Sequence, residues 1–150
     1  MTSEVTRVVA LGASNLSLGI QTAISTARGA WGPGVEVLLA NGYGRSYGAS
    51  SSIAGRTLPG ILQSGLWREL ARLDRAATRA IIMDVGNDIA YGVLPAEILE
   101  RAEEGAARLL AHTSDVTITD LPVESVKRLS PAKFLFFRTL FFLSNKNGNR

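Results

Sequence analysis

The sequence contains no cysteine and only one histidine, and both facts restrict its chemistry. Without cysteine the chain can form neither a disulfide framework nor a thiolate zinc site. No run of about 18 apolar residues is present, so no segment is expected to span a membrane as a helix. Residues 1–7 lack the basic start and apolar run of a signal peptide. We therefore expect a cytoplasmic protein.

The composition is that of a globular protein. Hydrophobic residues make up 46% of the 150 positions and charged residues 19%, enough apolar material for one domain with a core. The net charge of +3 is uneven, because the basic excess lies after residue 120. A basic tail can bind nucleic acid or an anionic surface. We interpret this one as a solvated helix face and a frayed end, and we expect no nucleic-acid partner.

The apolar pattern predicts strands that alternate with helices. Four short apolar runs read as buried strands: Val5–Leu11, Val35–Ala40, Ala80–Val85 and Val116–Leu121. Helical spacing occurs in the segments Leu16–Arg28, Leu66–Leu73 and Ala96–Ala111. This alternation predicts a single α/β domain with three layers, α/β/α, around a flavodoxin-like parallel sheet.

Unusual polar or glycine-rich loops follow three of the predicted strands. They are Gly-Ala-Ser-Asn at 12–15, Asn-Gly-Tyr-Gly-Arg-Ser-Tyr-Gly at 41–48 and Gly-Asn-Asp at 86–88. The carboxyl ends of parallel strands lie on one rim of the sheet, which is where such folds bind ligands. The three loops are therefore expected to converge there.

Ser14 is the candidate nucleophile on this rim. At a turn from strand to helix its hydroxyl would be exposed, and the positive helix end would favour developing negative charge. Glycine amides of the second loop and the side-chain amide of Asn87 are candidate donors to an oxyanion. Each residue also has a simpler interpretation. Ser14 would merely cap a helix, and Asn87 and Asp88 would merely cap a turn.

The ordered set of three loops resembles the SGNH/GDSL family of serine hydrolases over residues 5–121. Gly-Ala-Ser-Asn is similar to the family's first block, the glycine loop to its second and Gly-Asn-Asp to its third. The resemblance implies hydrolysis of a small-molecule ester, without a cofactor or metal, with Ser14 as nucleophile. The family acts on carbohydrate esters, lipid esters and thioesters, and the loops carry no signature that chooses among them. It implies Asn87 as one oxyanion donor and a backbone N–H of the second loop as another. We assign that N–H to Gly44, with Gly42 as the alternative.

Two features depart from the family pattern. Ala13 stands where the first block usually has aspartate, and the last block, Asp-x-x-His, is absent. That block supplies the general base. His112 is expected at the end of the long helix, on the opposite rim of the sheet. We therefore expect a sheet that is incomplete at its C-terminal end, a truncated or frameshifted gene product, and a chain that is a poor catalyst or none.

Two other functions compete with an esterase. The segment from Leu11 to Gly19 faintly resembles the glycine-rich turn of a Rossmann-like nucleotide-binding domain, but it lacks the spacing Gly-x-Gly-x-x-Gly. A non-catalytic module that binds a membrane or a partner would be built around residues 130–142, which are rich in phenylalanine. That segment is predicted to be a buried helix, a flap over the site or an interfacial anchor.

Overall fold

A computed structural model describes residues 5–53, 55–120, 128, 130–132 and 135. The strands are β1 (Thr6–Leu11), β2 (Glu36–Ala40), β3 (Ser51–Ile53), β4 (Arg56–Leu58), β5 (Ala77–Ile82) and β6 (Val116–Ile118). The α-helices are α1 (Ser14–Leu18), α2 (Ile20–Trp31), α3 (Leu66–Arg72) and α4 (Pro95–Leu110). Two 3-10 helices cover Ile61–Gln63 and Val85–Tyr91.

The main sheet has the order β2-β1-β5-β6, and all of its neighbouring strands are parallel. Strands β3 and β4 form a separate antiparallel hairpin. In chain order the main sheet therefore reads second, first, third, fourth, which is the order of a flavodoxin-like fold. The predicted α/β class, with a parallel sheet flanked by helices, is confirmed. The expected gap in the sheet concerns residues after 120, which lie mostly outside the described residues.

The core lies between the sheet and the helices. Val9 and Leu11 of β1 and Ile82 of β5 are completely buried, because central parallel strands are covered on both faces. Helix α4 buries one stripe at helical spacing, consisting of Ile98, Ala102, Gly105 and Leu109. Leu99 and Leu110 are exposed, because each falls one position off that stripe.

Two local predictions were wrong, and one element was missed. The helix predicted over Leu16–Arg28 is interrupted at Gly19, a residue that weakens helices, so that α1 and α2 are separate. The strand predicted over Ala80–Val85 runs from Ala77 to Ile82, because Asp84 takes a left-handed conformation with φ 60°. The β3–β4 hairpin was not predicted, since strands of three residues carry little periodic signal.

Tyr47 fixes the second loop to the ends of the central strands. Its side chain is only 1% exposed. The hydroxyl donates to the carbonyl of Met83 at 2.5 Å and lies 3.3 Å from the carbonyl of Leu11. Burial first, and then the negative charge of Asp84, raise the pKa of this hydroxyl well above its ordinary value. Tyr47 therefore stays protonated and serves as a buried donor.

Replacing Tyr47 by phenylalanine is expected to lower the free energy of unfolding by about 1–3 kcal/mol, because a buried carbonyl loses its donor. In the wild type the raised pKa stabilises the fold fully below about pH 10, where an unfolded tyrosine also stays protonated. That contribution is lost as the pH rises further, because only the unfolded state ionises. The denaturant midpoint should therefore fall less between pH 8 and pH 11 in Tyr47→Phe than in the wild type. Equal falls would contradict this role.

Candidate functional site

The structure places Ser14 at the first position of α1, directly after β1. The N-cap of this helix is Ala13, and no side chain caps it, so the interpretation of Ser14 as a helix cap was wrong. Ser14 is half-buried. The hydroxyl at this strand-to-helix turn has no partner among the described side chains.

Gly12 lets α1 approach the end of β1 closely. A Cβ atom at this position would lie 2.7 Å from Cβ of Leu16 and 3.3 Å from Oδ2 of Asp84. The amide of Gly12 also donates to the carbonyl of Ala40, at the end of β2, at 3.0 Å. Gly12 thus brings the turn that carries Ser14 against the ends of β2 and β5.

Asp84 holds the turn that carries Ser14. Its Oδ2 atom accepts the amide of Ala13 at 2.7 Å and lies 3.4 Å from the amide of Leu16. Its Oδ1 atom accepts the side-chain amide of Asn15 at 2.7 Å. The positive end of α1 was expected to favour the negative charge of an oxyanion. Asp84 already neutralises that end, so stabilisation has to come from the other loops.

Gly44 occupies the second loop in a left-handed conformation that favours glycine. Its φ is 58°, and a Cβ atom there would lie 3.2 Å from Cγ1 of Ile53 and 3.4 Å from the hydroxyl of Tyr91. The Tyr91 hydroxyl donates to the carbonyl of Gly44 and fixes the peptide. The amide of Gly44 has no acceptor among the described residues, and neither has that of Gly42. Both glycines therefore still qualify as oxyanion donors.

Asn87 connects the third loop with the second. It lies in the 3-10 helix Val85–Tyr91, and its Nδ2 atom donates to the carbonyl of Arg45 at 3.2 Å. The Arg45 side chain in turn donates to the carbonyls of Asn41 at 3.0 Å and Pro59 at 2.9 Å. An amide nitrogen carries two hydrogens. One hydrogen of Asn87 holds the loops together, and the other remains for a ligand.

Asp88 is part of a buried ion pair and does not merely cap a turn, so that interpretation was wrong. The residue is completely buried, and its carboxylate accepts the amide of Tyr47 at 3.1 Å. Arg101 of α4 donates to the same carboxylate at 2.7 Å and also pairs with Glu97. Burial lowers the pKa of Arg101, but the hydrogen bond and charge of Asp88 outweigh it, and the pKa is raised overall. The Asp88–Arg101 pair therefore joins α4 to the second and third loops.

His112 lies on the opposite rim of the sheet, as expected. It follows α4 and lines a cavity of about 570 Å³ together with Arg7, Asp74 and Thr78. Arg7 and Thr78 belong to the starts of β1 and β5, whereas Ser14 follows the end of β1. His112 therefore cannot serve as the base for Ser14 in this arrangement.

Three residues important for the site were missed by the sequence reasoning: Asp84, Tyr47 and Arg101. Asp84 had a detectable signal, because it is a carboxylate near the carboxyl end of a strand, but the predicted strand ran through it. Arg101 lies 13 residues after Asp88, on a separate helix, and nothing in the local pattern pairs them.

Among the described residues, no group of three His, Asp or Glu side chains is placed to hold a metal ion. Within the same residues, no helix has the length and apolar character needed to cross a lipid bilayer. No family model matches the chain, and neither a curated protein nor a solved structure matches it significantly.

Proposed function

We propose that the chain is a serine ester hydrolase of the SGNH/GDSL type acting on a small-molecule ester. Ser14 is the nucleophile, and the amide of Gly44 and the side chain of Asn87 stabilise the oxyanion. One observation carries the proposal: a serine hydroxyl, a glycine loop and an anchored asparagine amide share the rim at the ends of β1, β2 and β5. Both candidate donors are uncharged N–H groups, which suits an oxyanion.

The reaction proceeds through an acyl-enzyme. Oγ of Ser14 attacks the ester carbonyl carbon and loses its proton to a base, while the carbonyl oxygen gains negative charge. Hydrogen bonds from Gly44 and Asn87 stabilise that charge. The intermediate collapses, the carbon–oxygen bond to the alcohol breaks, and the alcohol leaves with a proton. Water then hydrolyses the acyl-serine by the same steps.

The chain has a single histidine, His112, and it lies on the opposite rim, so no histidine serves Ser14 as general base. The nearby carboxylate of Asp84 is engaged by the amides of Ala13 and Asn15. Without a base, serine near neutral pH is a weak nucleophile. Hydrolysis by the chain alone should therefore stay near background, and added imidazole should raise it by replacing the missing base.

The position of Asp84 also disfavours the nucleotide-binding alternative. Nucleotide phosphates bind the free amides at the start of the first helix in Rossmann-like folds. In this chain Asp84 occupies the amide of Ala13 and would repel a phosphate. The second alternative, a membrane- or partner-binding module at residues 130–142, falls largely outside the described residues.

The proposed function is tested by hydrolysis of p-nitrophenyl acetate in the presence and absence of imidazole. We expect an imidazole-dependent rate that saturates with ester and disappears in Ser14→Ala. A rate that is the same in the wild type and in Ser14→Ala, with and without imidazole, would show that Ser14 is not the nucleophile.

Replacing Asn87 by alanine is expected to lower the imidazole-dependent kcat by about 10²–10³, the usual effect of removing one oxyanion donor. The free energy of unfolding should fall by only about 1 kcal/mol, because one hydrogen bond to the Arg45 carbonyl is lost. Steady-state kinetics and denaturant unfolding measure the two effects. If the variant is strongly destabilised while its folded fraction keeps full activity, Asn87 is only a structural residue.

A further inference from the structure

A cavity of about 500 Å³ opens beside the second loop, on the β2 side of the site. Its volume lies within the range of small-molecule pockets. Ile53 and Leu58 of the β3–β4 hairpin, with Tyr43 and Gly42, give it an apolar wall. Ser17 and Asn41 add a polar edge on the side of α1. The hairpin thus closes a pocket that the sequence did not predict.

The polar edge of the cavity adjoins the turn that carries Ser14. Ser17 lies three residues after Ser14, so both project on the same side of α1. The Ser17 hydroxyl donates to the carbonyl of Ala13 at 2.8 Å and accepts the side-chain amide of Asn41 at 3.0 Å. The cavity therefore begins within one helical turn of Ser14.

The apolar wall touches both candidate oxyanion glycines. A Cβ atom on Gly42 would lie 2.5 Å from Cδ1 of Leu58, and one on Gly44 would lie 3.2 Å from Cγ1 of Ile53. A carbonyl oxygen bound at either amide would therefore place its ester next to these side chains. The substituent on the β2 side of that ester would enter the cavity.

We propose that this cavity binds the acyl part of the substrate and that the substrates are esters of apolar, uncharged acyl groups. The proposal rests on the proposed function. The leaving alcohol has to receive a proton, and the described residues that line the cavity include no histidine and no carboxylate to supply one. The alcohol therefore departs on another side, and the apolar wall is left to the acyl chain. Arg56 also lines the cavity, but its side chain is exposed and can extend its guanidinium group into water.

Burial of the acyl chain predicts a defined chain-length dependence. Each methylene removed from water should raise kcat/KM about fourfold until the cavity is full. The measurement uses p-nitrophenyl acetate, butyrate and hexanoate with imidazole, and subtracts the rate of Ser14→Ala. Leu58→Trp fills the cavity and should lower the hexanoate-to-acetate ratio of kcat/KM by at least about tenfold. Leu110→Trp is the control, because Leu110 is exposed at the far end of α4, and it should keep the wild-type ratio.

Two results would overturn the inference while leaving the proposed function intact. One is that hydrolysis depends on Ser14, but the hexanoate-to-acetate ratio of kcat/KM is the same in the wild type and in Leu58→Trp. The other is that Leu58→Trp changes how kcat/KM depends on the length of the alcohol, measured with alkyl acetates, but leaves its dependence on acyl length unchanged. If no ester is hydrolysed in a Ser14-dependent way, the proposed function fails. Calorimetric titration with hexanoate then tests whether the cavity binds an acyl chain. Binding to the wild type that is lost in Leu58→Trp supports this role, and absence of binding to the wild type refutes it.

Discussion

Replacing Ser14 by alanine is expected to abolish the imidazole-dependent hydrolysis of p-nitrophenyl esters. With a base present, the loss should be on the order of 10³-fold or more, because a serine and its base act as one unit. The residual rate should equal that of imidazole and ester without protein, since the oxyanion donors cannot act without a nucleophile beside them. The acyl-enzyme that accumulates in the wild type, detected as an added acyl mass on the peptide containing Ser14, should be absent.

The matched control for this experiment is Ser25→Ala. Ser25 is an exposed serine on α2, away from the rim that carries the three loops. This variant should keep the wild-type rate and the acyl mass on Ser14. A second control, His112→Ala, should also leave the rate unchanged, because His112 lies on the opposite rim. A fast imidazole-independent rate that is lost in Ser14→Ala and kept in His112→Ala would mean that another base already serves Ser14.

Replacing Asp88 by alanine is expected to lower the free energy of unfolding by about 3–5 kcal/mol, the usual cost of removing one partner from a buried ion pair. The Asp88 side chain is 0% exposed and that of Arg101 is 16% exposed. The change leaves the Arg101 charge without its buried partner and removes the acceptor of the Tyr47 amide. For a small domain this loss is a large part of the total stability. Urea unfolding followed by circular dichroism measures it.

Glu97→Ala provides a close control for Asp88→Ala, because Glu97 pairs with the same arginine. The Glu97 side chain is 51% exposed, and an exposed pair on one helix contributes only about 0–1 kcal/mol. Asp88→Asn should fall between the two variants, since it keeps an acceptor for the Tyr47 amide but loses the charge. Equal destabilisation by Asp88→Ala and Glu97→Ala would mean that burial gives the Asp88–Arg101 pair no special weight.

The alternation of strands and helices, and with it the rim that carries the loops, could be predicted because it depends on periodic, local patterns. Continuous apolar runs indicate strands buried on both faces, and helices between them require parallel connections. The position of Ser14 after β1 and of Asn87 after β5 then follows from chain order alone. The boundaries were less predictable, because Asp84 and Gly19 change the backbone direction without changing the apolar pattern.

The sequence by itself determined the fold class, the shared rim and the distance of His112 from Ser14, since each follows from the alternation of strands and helices. Only the tertiary structure decided which groups hold the site in place. Asp84 reaches back 71 residues to the amide of Ala13, and Tyr47 reaches 36 residues to the carbonyl of Met83. The hairpin that closes the cavity is likewise placed by contacts with the second loop. Such contacts depend on how separate segments pack, and no local pattern encodes which distant polar group will meet which backbone amide.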